Sequence, residues 1–179
     1  KLQETIESSF GLNSSEVKSK SSMNSLSEAI NAGLSQGSLS METADKETIE
    51  PKLRLVLEQE FLFKPGQSRL KKAGKDFLGN LASTLKDEPV KLIIEGHTDN
   101  SPIRSNTYPS NWHLSAFRAA EVVYSLQKQG IPEDRLKLIG FGSSNPLVPN
   151  TNKENKTKNR RVIITLKQIQ DSPGEVENE

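Results

Sequence analysis

The sequence contains no cysteine, which excludes disulfides, thiolate zinc ligation and a cysteine nucleophile. That absence leaves the compartment open. Aromatic residues are scarce at 5% and hydrophobic residues reach only 32% of 179, a thin supply for a chain packed throughout. Either the core is small or part of the chain lies outside it. Charge of one sign is also missing: Lys and Arg total 24 against 23 Asp and Glu. No global field therefore draws the chain to nucleic acid or to an anionic membrane. No apolar run approaches the ~18–20 residues that span a bilayer. Lys1 opens the chain without a charged n-region and apolar h-region, so the sequence reads as a fragment or a processed product.

What is present divides unequally. Residues 1–50 are rich in Ser, Glu, Asn and Lys, with Phe10 as their one aromatic. Such a segment buries too little apolar surface to offset a backbone ordering cost of ~1–2 kcal/mol per residue. It reads as a flexible, partly helical linker. Leu2, Ile6 and Phe10 form one narrow apolar stripe and Leu26, Ile30 and Leu34 another, both marginal as isolated helices. From Pro51 the chain gains bulk, and residues 51–170 read as one folded domain. Residues 171–179, with Glu175, Glu177 and Glu179, read as an acidic disordered tail.

Hydrophobic periodicity places the elements of the domain. Val56 to Phe63 reads as a strand. Ser68 is positioned to cap a helix running to about Lys86, with Leu70, Ala73, Phe77, Leu81 and Leu85 on its inner face. Val90 to Glu95 reads as a central strand. Ser110 or Asn111 caps a second helix, Trp112 to about Gln129, and Gly130 stops it. Leu136 to Phe141 is a third strand, residues 142–159 a polar loop, and Arg161 to Leu166 a last strand. The order β-α-β-α-β-β predicts an α/β (α+β sandwich) fold, a mixed sheet with helices on one face.

Catalytic motifs are absent. The two histidines, His97 and His113, form no HExxH, no G-x-S-x-G turn supports a serine triad, and Gly140-Phe141-Gly142 lacks the features of a phosphate loop. The chain reads as a binding module, not an enzyme, without cofactor or metal. The loop after the central strand is more informative, because ligands gather at the C-terminal edge of such strands. It carries Thr98, Asp99, Asn100 and Asn111 and leads into a helix where Leu114, Arg118, Val122 and Leu126 share one face. Arg118 interrupts an apolar stripe and must be paired. Its nearest candidate is Asp99. The pair reads either as a structural salt bridge or as a carboxylate and guanidinium flanking a pocket for a zwitterion, and spacing alone favours the former. His97 reads as a hydrogen-bonded loop residue and Phe117 as core, and Trp112 stays open.

Three separated motifs then carry a resemblance: Gly96-His97-Thr98-Asp99, Leu114-Ser115 with Arg118-Ala119, and Asn159-Arg160-Arg161-Val162. With the stretch Phe63 to Leu166 they resemble the peptidoglycan-binding domain of the OmpA-like family. The loop Thr98 to Ile103 with Tyr108-Pro109-Ser110-Asn111-Trp112 resembles the periplasmic part of the flagellar stator B subunit, the MotB/PomB type. The resemblance implies non-covalent binding of the peptidoglycan stem peptide at diaminopimelate. Asp99 would accept from its ammonium and Arg118 would grip its carboxylate. Thr98, Asn111 and Leu114 would line the site, and Arg161 would reach the same pocket.

The stator resemblance further implies a homodimer and a stator A subunit contacted through a membrane helix missing from this sequence. It implies a place in the periplasm, at the outer face of the cytoplasmic membrane, as part of a single-pass parent. Residues 1–10 would take the place of that family's amphipathic plug. A tether of about 40 coil residues averages roughly 35 Å yet extends to roughly 130 Å, so linker extension would couple anchoring to stator activation. The alternative within the binding class is an outer-membrane-linked or lipoprotein wall anchor unconnected with motility.

Overall fold

The computed structural model describes residues 39–43 and 52–169. Both N-terminal apolar stripes, the plug-like segment and the acidic tail lie outside the described residues. The elements are β1 (Leu39–Thr43), β2 (Lys52–Glu58), α1 (Gln59–Leu62), α2 (Lys72–Leu85), β3 (Val90–His97), α3 (Asn111–Lys128), β4 (Leu136–Gly142), α4 (Lys153–Asn159) and β5 (Arg161–Gln168). A 3₁₀ turn, Glu133–Arg135, precedes β4. They form one mixed sheet in the order β1-β2-β5-β3-β4. Only β3 and β4 run parallel; the other neighbours are antiparallel.

Strand alternation sets the core. Leu53, Leu55 and Leu57 of β2, Leu92 and Ile94 of β3, and Val162, Ile164 and Leu166 of β5 share one sheet face. Against it lie Phe77, Leu78, Leu81 and Leu85 of α2 and Ala119, Val122 and Leu126 of α3. Crossover helices on one face are what the sequence predicts.

Several local expectations need correction. The first strand of the domain is Lys52–Glu58, and residues 59–62 turn into a short helix where the sequence suggests continued strand to Phe63. A further strand, β1, pairs with β2 from within the segment read as linker. Ser68 does not cap α2, which begins at Lys72 with no side-chain cap; its hydroxyl is 2.8 Å from that of Tyr108. Ala73 is exposed, and the inner face of α2 uses Leu78 and Ala82 as well. Ser110 occupies the cap position of α3 without a capping bond and contacts His113 Nδ1 instead. The polar loop after β4 contains helix α4, capped by Asn152.

Arg135 replaces a conventional helix cap. Its guanidinium donates at 2.7 Å to the carbonyls of Leu85, Lys86 and Val90, closing the end of α2 onto the start of β3. Arg135→Ala leaves these carbonyls to water and is expected to cost about 1–3 kcal/mol in urea unfolding.

Candidate functional site

β3 runs out of the sheet's centre, and the residues beyond it form the site. Thr98 is tied at both ends: its amide donates to Gly142 O at 2.8 Å and its hydroxyl to Asp99 O at 2.9 Å. Asp99 Oδ1 accepts from Ser101 N at 2.8 Å, an Asx turn that fixes the carboxylate. Asn111, at the start of α3, donates to Ser101 O at 2.9 Å and to Asp99 O at 3.4 Å. Its amide thus clasps the loop to the helix. Lys156 of α4 reaches Ser101 Oγ from the other side at 3.3 Å.

The Asp99–Arg118 ion pair is not formed. Asp99 Oδ2 is held instead by Arg160 Nη1 at 2.8 Å, and Arg160 is fixed in turn by Thr157 Oγ1 at 2.7 Å and Glu60 at 3.4 Å. Burial pushes the Asp99 carboxyl up, but the bonds from Arg160 and Ser101 outweigh it and hold the group below its usual range. Arg118, only 3% exposed, donates through Nε to Gln67 O at 3.0 Å and through Nη1 to Gln59 Oε1. Burial lowers its pKa to about 10, with Tyr108 and Asp99 acting in the opposite sense and Arg160 in the same. It stays charged at neutral pH. Its Nη2 makes no hydrogen bond among the described residues. Leu114 is buried one turn earlier on the same helix face.

Arg161 does not join this group. Val162, Ile164 and Leu166 face the helices, so Arg161 shares the opposite face with Ile163 and Thr165. There it donates to Asn159 O and Asn145 O. Arg160, one residue earlier and of core-facing parity, takes the place expected of Arg161. Thr165 and Lys167 against Leu166 already mark that parity in the sequence. Gln59 and Gln67 hold Arg118, and no apolar periodicity marks either as its partner. Asn159 is buried, accepts from Leu147 N and Val148 N, and donates to Val148 O. Phe117 is not core either. It is 52% exposed, its ring 5.6 Å from that of Tyr108.

His97 differs from expectation too. It ends β3, is 2% exposed, and stacks on Phe141 at 5.0 Å. Neither ring nitrogen has a partner at hydrogen-bond distance, but Glu95 Oε2 lies just beyond, 3.6 Å from Nε2, a long contact that still lowers the pKa of the Glu95 carboxyl. Burial lowers its pKa; Glu95 and the Asn145 carbonyl oppose this, while Arg161 adds to it. The unfolded chain therefore takes up this proton first. The histidine's contribution to stability is complete above its ordinary 6.5 and shrinks as pH falls below it. Glu95 and Asp99, both held low, lose their contributions only at more acid pH. The melting temperature is expected to fall between pH 7 and 5.5, and His97→Phe, which keeps the stack, is expected to flatten that interval.

Among the described residues no group of three or more His, Cys, Asp or Glu could hold a metal ion. No described helix is long and apolar enough to cross a membrane. The site offers a fixed carboxylate and two guanidiniums, a set suited to a ligand bearing both charges.

A profile of the OmpA family matches residues 62–160, which contain the whole 98–118 segment and Arg160. The chain belongs to the OmpA family. That family is a non-enzymatic, peptidoglycan-binding one. The Bacillus subtilis protein YtxE is 37% identical over 63% of this chain and 47% of its own length. B. subtilis motility protein B is 29% identical over 64% and 44%, and the probable lipoprotein YiaD of Escherichia coli 35% over 58% and 46%. The chain thus spans just under half the length of these curated relatives. Among solved structures, a putative MotB-like protein from Desulfovibrio vulgaris superposes with a TM-score of 0.70 at 26% identity, covering 94% of this chain and 100% of its own. The cell wall anchor of the type VI secretion system from Pseudomonas aeruginosa also gives 0.70, at 25% identity over 80% and 97%.

Proposed function

We propose that this OmpA-family domain holds its parent protein to the cell wall by gripping the stem peptide of peptidoglycan. The observation that carries the reading is the Asp99 carboxylate, fixed by Ser101 and Arg160, within electrostatic reach of a charged Arg118 whose Nη2 has no hydrogen bond among the described residues. The ammonium of a diaminopimelate head group meets Asp99, which has lone pairs to spare. Its carboxylate meets Arg118 Nη2, and Arg160 adds positive charge on the same side. Thr98, Asn111 and Leu114 act on the ligand indirectly, by fixing the loop and the helix start.

The parent, in this proposal, is a flagellar stator B subunit of the cytoplasmic membrane, working as a dimer in the periplasm with a stator A subunit. The loop 98–112 and the kinship with motility protein B support this. Residues 1–50 then serve as tether and plug, although β1 attaches residues 39–43 to the sheet and shortens the free span. YiaD and the secretion-system anchor support a wall anchor without a role in motility.

Two measurements separate these. Co-sedimentation with purified sacculi, without release of soluble fragments, is expected for wall binding; fragment release would indicate hydrolysis and overturn it. Deleting the full-length protein is expected to abolish swimming while flagella still assemble. Normal swimming would favour the non-motility anchor.

A further inference from the structure

The one tryptophan of the chain, Trp112, is 55% exposed and has no role in the core. Its setting is nonetheless rigid. It is the second residue of α3, immediately after Asn111, whose amide clasps the site loop. Its indole lies over Gly142, where a Cβ would come within 3.4 Å of the ring carbon Cδ2 and 3.2 Å of the Trp112 backbone nitrogen. Gly142 has φ +52, a conformation that glycine adopts freely, and its carbonyl accepts from Thr98 N. Platform and site therefore share one residue.

We propose that Trp112 is a stacking platform for a sugar ring of the glycan strand, a second subsite beside the stem-peptide site; the inference rests on the peptidoglycan reading above. An indole face is electron-rich and pairs with the C–H face of a pyranose, and a ring already held against the backbone gives up little entropy on binding. Reach is set from the Asp99 side. Trp112 and Arg118 are six residues apart on α3, roughly 9 Å along its axis but about 120° around it, whereas Gly142 joins the indole to Thr98, the neighbour of Asp99. Two stem residues and a lactyl group, a run of roughly 10 Å when extended, separate diaminopimelate at Asp99 from a sugar at Trp112.

The test uses the full chain and two probes: a diaminopimelate-containing stem peptide freed of sugar, and the same peptide carrying its disaccharide. Tryptophan emission reports directly, since the chain has no second indole. The disaccharide-peptide is expected to bind about tenfold tighter than the bare peptide and to shift the emission. Trp112→Ala should erase that tenfold difference and leave bare-peptide affinity unchanged, with Trp112→Phe intermediate. Equal affinity of wild type for both probes, or an equal loss on both in Trp112→Ala, overturns the glycan subsite while the stem-peptide reading stands. Failure of wild type to bind either probe overturns both.

Discussion

Gly96→Ala is expected to lower the melting temperature by about 10 °C or more, the size of shift that a loss of about 3 kcal/mol brings to a domain of this length. A Cβ on Gly96 would stand 2.1 Å from the Ser115 carbonyl oxygen and 2.9 Å from its carbon. Both are backbone atoms of α3, so no rotamer change relieves the clash. Ser115 cannot yield either: its hydroxyl donates to Trp112 O and accepts from Gly142 N, each at 2.9 Å. The helix must lift from β3, and it carries Asn111 and Arg118 with it. Gly79→Ala supplies the control, since its Cβ meets only the flexible Gln129 side chain at 3.9 Å. In mid-helix that change is expected to raise stability by up to about 1 kcal/mol. Thermal melts of the two variants should move in opposite directions; a Gly96→Ala melt at the wild-type temperature would mean that α3 does not sit this close to the sheet.

Asp99→Asn is expected to weaken stem-peptide binding on the order of 100-fold while the fold persists. The amide keeps the volume and the oxygen that accepts from Ser101 N, so the loop turn survives. Arg160 keeps Thr157 and Glu60. What disappears is the negative charge facing the ligand's ammonium. Because Asp99 is held below its usual range, wild-type binding should be flat across neutral pH and fall only in acid, as the carboxylate is protonated. Arg118 is a different case. It braces α1 and the Gln67 loop through Gln59 and Gln67, so Arg118→Ala is expected to cost stability and binding together.

The residues explain why some of this was legible and some was not. Helices α2 and α3, β3, β4 and β5 follow from apolar spacing and from stops such as Gly130, which has φ +98. The sequence overextends β2 because the bulky alternation of Leu53, Leu55 and Leu57 resumes at Phe61 and Phe63, and the single break at Gln59 is where the chain turns to helix. β1 carries little bulk of its own; pairing with β2 defines it. On α3 the residues against the sheet are Ser115 and Ala119 with Val122 and Leu126, because close approach selects small side chains. Phe117 lies off that stripe, and its size misled. The Asp99 loop is recognisable as a candidate site, yet the partner of Asp99 is Arg160 and not the expected Arg118, and Arg160 adjoins Arg161, the residue expected to reach the pocket. The phase of β5, marked by Thr165 and Lys167 against Leu166 but blurred by Ile163 beside Ile164, decides between Arg160 and Arg161.

The account turns on recognition of a zwitterion by opposed fixed charges. Calorimetry with a diaminopimelate stem peptide, compared with the same peptide N-acetylated at the diaminopimelate amine, tests it most directly. Wild type should bind the free amine at least about 30-fold more tightly, a difference that Asp99→Asn removes. Equal binding of the free and acetylated peptides by wild type would contradict it.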